Sequence, residues 1–295
     1  ESNILNYIHN PNAGYNIKYS TTLSSNPNDY NLDDISRTNP GTTTVFFMIS
    51  CANFEDYFGQ AKFIITYKDR NIKVADGALD KYYDAVAYDS NSWQNLLNLV
   101  TSTDRDEALP TTGWKITYFL AEKDKTDDSE WKIASDELTS VVNARDYIFR
   151  LTIPASVLYG ETVIQQHFQI KRITYTVSSS QAVETTYTGS RWIYNLGEAL
   201  LNNNSIFTVT GLLNQDGNGN PVGHHITSAM LVNDNIYSGK YVQNNNDPNN
   251  SGSIDISDQY SYTIVDQDGV DVRINYEYNL DFALIVKKGS ITFTS

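Results

Sequence analysis

The spacing in this chain that most resembles a ligand set is Asn214-Gln215-Asp216-Gly217-Asn218-Gly219, which places oxygen side chains at alternate positions with glycine sixth, as a calcium loop does. The twelfth position, where such a loop needs a bidentate Glu, is His225. Asp266 and Asp268, followed by Asp271, form a second cluster of the same kind. Asn, Asp and Gly favour turns for backbone reasons alone, so both segments read first as turns, and Asp216, Asn218, Asp266 and Asp268 stand only as weak calcium candidates. His224 and His225 are neighbours, and neighbours on a strand point to opposite faces, so the pair cannot easily grip one zinc ion. His9 and His167 have no partner in sequence.

Nucleophilic and phosphate-binding motifs are missing: there is no G-x-S-x-G, P-loop, H-E-x-x-H or G-x-G-x-x-G. A glycosidase needs two carboxylates across a groove, and 35 acidic residues supply many accidental pairs without singling one out. Cys51 sits in an apolar run, Phe46 to Ala52, and reads as a small core residue; Trp93 and Trp192 lie on apolar stripes and read as core rather than sugar platforms. Trp114, Trp131 and the tyrosines keep the sugar-stacking option open. Asn203-Asn204-Ser205 and Asn249-Asn250-Ser251 match the glycosylation acceptor, a pattern common by chance in an Asn-rich chain. The expectation is a non-enzymatic protein with no catalytic residues, no cofactor and no transition metal.

The elements that would position these residues are mainly strands. The 295 residues carry 21 Lys plus Arg against 35 Asp plus Glu, a formal charge of -14 with no basic run, which argues against direct nucleic-acid contact. One cysteine forbids an internal disulfide, and no apolar run approaches the roughly 18 residues of a membrane span. Glu1 stands first in place of Met with no basic and apolar leader behind it, the pattern of a processed or trimmed chain.

From Val270 to Val286 the apolar residues alternate, Val272, Ile274, Tyr276, Tyr278, Leu280, Phe282 and Leu284 sharing one parity. That predicts a long, bent strand with the even positions buried. Asp266-Gln267-Asp268-Gly269 before it predicts a hairpin turn, in an antiparallel C-terminal meander. Phe63 to Tyr67, Trp114 to Leu120, Tyr147 to Ile153 and Ile206 to Val209 predict further strands. In Phe168 to Val177 the apolar parity switches near Lys171-Arg172, which predicts a β-bulge. Asn91 to Val100 and Arg191 to Leu201 carry three- and four-residue spacings and predict two short helices, opened at Ser90 or Asn91 and at Gly189-Ser190; Ser135 to Asn143 is a third candidate. Ser24 to Gly41, Ala121 to Glu130, Asn214 to Gly223 and Gln243 to Ser253 read as polar loops.

The expected fold is mainly β: two antiparallel β-sandwich or jelly-roll barrels side by side, 1–160 and 161–295, each with one short helix. That organisation resembles the double jelly-roll major capsid proteins of icosahedral viruses, with Asn91 to Val100 and Arg191 to Leu201 in the place of the two helices. The resemblance is one of elements, with no motif behind it. It implies a non-enzymatic structural protein that self-assembles into a shell as a homotrimer, a bacteriophage major capsid protein in a virion, touching other shell proteins and an underlying membrane but not the nucleic acid directly. The alternative is a bacterial surface or secreted carbohydrate-binding β-sandwich protein.

Overall fold

A computed structural model describes residues 14–33, 35–52, 54–104, 106–127, 129–186, 192–202, 205–233, 241–243, 252–254, 260–282 and 284–287. The fold is mainly β. The strands are β1 (Tyr15–Ser20), β2 (Gly41–Cys51), β3 (Tyr57–Ile65), β4 (Ile72–Val74), β5 (Lys81–Tyr82), β6 (Val100–Ser102), β7 (Lys115–Lys123), β8 (Trp131–Ile133), β9 (Asp146–Ile153), β10 (Thr162–Lys171), β11 (Ile173–Ser179), β12 (Val183–Thr186), β13 (Trp192–Asn195), β14 (Phe207–Thr210), β15 (His225–Asn233), β16 (Tyr241–Gln243), β17 (Gly252–Ile254), β18 (Tyr260–Val265), β19 (Tyr276–Asp281) and β20 (Leu284–Lys287). Among the described residues there is one α-helix, α1 (Leu196–Leu201), between β13 and β14.

The chain divides into two compact units, one made of Glu1–Lys73, Thr101–Trp114 and Thr152–Val163, the other of Val74–Val100, Lys115–Leu151 and Ile164–Ser295. Position 160, the expected boundary, falls inside the last segment of the first unit. No sheet closes into a barrel among the described residues.

The first unit holds a three-stranded antiparallel sheet in the order β1-β2-β3. Val45 and Met48 of β2 and Ser20 of β1 are its buried side chains, and Cys51, expected in the core, is only half-buried at the end of β2. Beside it in the same unit Arg70 is buried, its Nη2 donating to the Ser156 hydroxyl at 2.5 Å and its guanidinium 4.7 Å from the Tyr159 ring centre. Ser156 in turn donates to Glu107 at 2.7 Å, and that hydrogen bond, ahead of those from the backbone N–H groups of Leu158 and Val157, holds the Glu107 carboxyl below the usual range.

The second unit carries a five-stranded sheet, β5-β10-β9-β7-β8, and the sheets β14-β11-β19, β13-β15-β18 and β12-β20-β17-β16. Its core is aromatic. Phe168 packs among Tyr88, Tyr118, Tyr147 and Phe149, while Tyr175 meets Tyr262 and Tyr276 edge-on. Each such ring contributes about 1.5–3 kcal/mol through burial, and the phenols satisfy their hydroxyls: Tyr118 donates to Asp89 O, Tyr147 to Asn143 O and Tyr175 to the Tyr260 hydroxyl.

Several expectations change. The parity switch near Lys171-Arg172 is not a bulge: β10 ends at Lys171, β11 starts at Ile173, and the chain passes there from one sheet to another. The run from Val270 is not one strand, because a 3-10 turn over Arg273–Asn275 interrupts it before β19. Val270 is exposed, Ile274, Leu280 and Phe282 are half-buried, and Asn275, expected outside, is wholly buried. Nor is the C-terminal part purely antiparallel, since β19 runs parallel to β11 and β20 parallel to β12.

Of the expected helices, Asn91 to Val100 gives only a 3-10 turn over Ser92–Leu96, which suffices to bury Leu96 before β6 begins. In Arg191 to Leu201 the residues from Trp192 pair with β15 as strand, and α1 starts only where the Asn195 side chain accepts the Glu198 N–H at 3.1 Å. Cross-strand pairing there outweighs the helical spacing of the apolar residues. Ser135 to Asn143 forms no helix, and its Leu138 and Val141 bridge to Tyr118 and Tyr88.

Candidate functional site

Within the second unit, the end of β10, the start of β9 and the turn into β19 enclose an open, polar cleft of about 770 Å³. Arg145 precedes β9, Lys171 closes β10, and Arg172 sits in the single-residue link to β11. Opposing them are Glu122 on β7, Asp146 on β9 and Glu277 on β19, with Tyr82 of β5, 66% exposed, also on the lining. Arg172 Nε donates to Ile274 O at 3.0 Å, and the Lys171 ammonium stands 5.9 Å from the Tyr82 ring centre. None of Arg145, Lys171, Arg172, Glu122 or Glu277 forms an ion pair among the described residues.

Asp146 is the exception. Its Oδ1 lies 2.9 Å from His167 Nε2, and His167 stacks on Trp131 with ring centres 3.9 Å apart and planes at 7°. Lys123 Nζ stands 5.0 Å from the centre of the Trp131 ring.

Adjoining the cleft, a buried joint fixes the turn that carries Ile274. Asn275 Oδ1 accepts the Ala144 N–H at 2.7 Å and its Nδ2 donates to Asn143 Oδ1 at 3.1 Å. His224, 5% exposed, places Nδ1 2.6 Å from the Tyr276 hydroxyl, with Tyr83 stacked against its ring. Burial lowers the His224 pKa, and it raises that of Tyr276 to about 12. His225 opens β15 and is exposed, its Nδ1 2.9 Å from Gly223 O, while His224 precedes the strand and is buried.

The calcium candidates lie in self-satisfied turns. Asp216 Oδ1 accepts the N–H groups of Asn218 and Asn220, and its Oδ2 accepts the Asn220 side-chain amide at 2.9 Å, which is the main reason its pKa is lowered. Asp266 Oδ1 accepts from the N–H groups of Asp268 and Val270, closing the expected hairpin turn with Gly269 at φ 82°. Asp271 pairs instead with Arg273 at 3.2 Å. No cluster of three or more His, Cys, Asp or Glu side chains suited to a metal ion occurs among the described residues. Trp114 is buried, donating from Nε1 to Pro110 O, and Trp93 is half-buried. His9, Asn203, Asn204, Asn249, Asn250, Ser251 and the side chain of Trp192 lie outside the described residues.

The cleft escapes sequence reading because its members are scattered from Tyr82 to Glu277, and no local spacing joins them. Only the adjacency of Lys171 and Arg172 was visible.

No protein-family model matches the sequence, and no curated protein matches it. Among solved structures, zebrafish RET cadherin-like domains 1 to 4 are similar at 12% identity over 93% of this chain and 66% of that one, with a TM-score of 0.15. A likeness at that score carries no structural or functional argument. No helix among the described residues is long and apolar enough to cross a membrane.

Proposed function

We propose that the chain is a non-enzymatic structural protein that self-assembles through its first unit. The observation behind this reading is where the apolar side chains lie. Among the described residues the first unit contributes Tyr30, Val45, Met48, Trp114, Ile153 and Tyr159 to the core, six of 31 buried apolar residues, yet holds eight of the 13 large apolar side chains left exposed. Among the eight, Tyr57 and Ile64 lie on β3, an edge strand of nine residues, and Phe54 just precedes it.

A long edge strand with exposed apolar side chains is a template for pairing with another copy of the chain. Joining the β3 edge of one copy to the β1 edge of the next is head-to-tail, and it closes as a ring when the rotation permits. A homotrimeric shell component, as in the viral capsid proteins whose element order the sequence pattern resembles, is the assembly that fits this reading. The second reading, a bacterial surface or secreted carbohydrate-binding protein, draws on a different observation, the polar cleft at Arg145, Lys171 and Arg172.

Mass photometry and light scattering of the purified chain test the assembly. The expected result is a trimer at micromolar concentration that becomes a monomer in Tyr57→Lys and Ile64→Lys, with circular dichroism unchanged because both side chains are exposed. A wild-type chain that is monomeric across the micromolar range removes the proposal.

A further inference from the structure

The geometry points to the cleft as a binding site for an acidic oligosaccharide, one built from uronic acid residues. The inference rests on the carbohydrate-binding reading and is independent of the assembly.

Its first support is charge. The chain as a whole carries -14, so its average surface repels a polyanion. In the cleft three cations, Arg145, Lys171 and Arg172, balance the three lining carboxylates Glu122, Asp146 and Glu277, and none of the three cations has an ion-pair partner among the described residues. Arg172 commits only Nε, to Ile274 O, which leaves its terminal nitrogens for a carboxylate. Structural cations on an acidic surface normally find carboxylates, and here Glu122 and Glu277 line the same space without closing onto them.

Those two carboxylates supply the second support. A simple anion site has no use for them and would be weakened by them, whereas a sugar acid offers hydroxyl donors as well as a carboxylate, and hydroxyls are what unpaired carboxylates accept. The third is Tyr82, a residue 66% exposed on the lining, whose ring stands beside the Lys171 ammonium and offers an aromatic surface to the apolar face of a pyranose. A volume of about 770 Å³ is within the range of ligand sites, and openness to solvent suits a chain-like ligand that continues beyond the cleft.

The geometry is also held in place. Asn275, hydrogen-bonded to Ala144 and Asn143, ties the Ile274 and Glu277 side of the cleft to the Arg145 side. Preformed sites bind without the entropy cost of ordering their walls.

Isothermal titration with trigalacturonate, its methyl ester, cellohexaose and inorganic phosphate tests the site. Trigalacturonate is expected to bind with a Kd between micromolar and millimolar, weakening as salt rises. Arg145→Ala combined with Lys171→Ala should weaken it about tenfold or more, and Tyr82→Ala severalfold, with melting temperatures unchanged. Absence of trigalacturonate binding overturns the proposal. Equal binding of the methyl ester, or binding of cellohexaose alone, overturns the acidic class while leaving the carbohydrate-binding reading standing. Equal binding of phosphate with no effect of Tyr82→Ala reduces the cleft to an anion site and overturns the saccharide.

Discussion

Nδ1 of His224 lies 2.6 Å from the hydroxyl of Tyr276, and the same hydroxyl accepts the N–H of Leu213 at 3.2 Å. A neutral imidazole can accept a hydrogen bond from the Tyr276 O–H at Nδ1, leaving the phenol oxygen to accept from Leu213; an imidazolium, with Nδ1 protonated, cannot accept it.

This makes stability pH-dependent with a definite sign. Burial, the leading cause, lowers the folded-state pKa of His224 below its ordinary 6.5, so below that value the unfolded chain binds the extra proton and the folded chain does not. The stabilisation is fully present above pH 6.5 and is lost as pH falls from 6.5 through the folded pKa. Melting temperatures from pH 8 to pH 5 should fall more steeply for the wild type than for His224→Gln.

Asn275→Leu keeps the volume of the joint but leaves the Ala144 N–H buried without an acceptor. The expected cost is about 1–3 kcal/mol, read by denaturant titration. Asn275→Asp, which retains an acceptor for Ala144 but places a charge where exposure is 0%, should cost at least as much.

Gly211 follows β14 with φ at 90°, and a Cβ there would stand 2.5 Å from the backbone oxygen of Thr174 in β11. Gly211→Ala therefore combines an unfavourable backbone conformation with a clash that no side-chain rotation relieves. A loss on the order of 2 kcal/mol or more is expected in chemical unfolding.

Asp216→Ala removes the acceptor of three hydrogen bonds within one turn. It should lower the melting temperature by a small amount that is the same with EDTA and with added calcium. A loss confined to the calcium-loaded sample would instead mark the turn as a cation site.

The strands over Tyr147 to Ile153 and Trp114 to Leu120 are legible from their density of aromatic and β-branched residues, although Ile148 and Phe119 interrupt the period of two because residues on both faces of these strands are buried. The switch at Lys171-Arg172 was visible but misread: a bulge and a crossing between sheets leave the same one-residue change of parity, and only the partner strands separate them. Arg191 to Leu201 holds two patterns at once, the consecutive strand formers Trp192, Ile193 and Tyr194 and the helical spacing of Trp192, Leu196, Ala199 and Leu200, and pairing with β15 assigns the first part to strand. The cleft was not legible, because Tyr82, Glu122, Arg145, Lys171 and Glu277 meet only after sheets far apart in sequence have formed.

The parallel register of β11 with β19 has a mechanical consequence. The chain enters this pair at Ile173 and leaves it at Asp281, and in a parallel pair those two points lie at opposite ends. Tension along the polypeptide therefore runs along the strand axes and bears on all six paired positions, Ile173 with Tyr276 through Ser178 with Asp281, at once. Antiparallel neighbours pulled from one end peel apart rung by rung; this pair must slide, breaking its hydrogen bonds together. The same holds for Val183–Thr186 against Leu284–Lys287. Force applied through the backbone thus meets shear in both pairs that join the beginning of this region to its end, which raises the pull needed to open it without adding to its stability at rest.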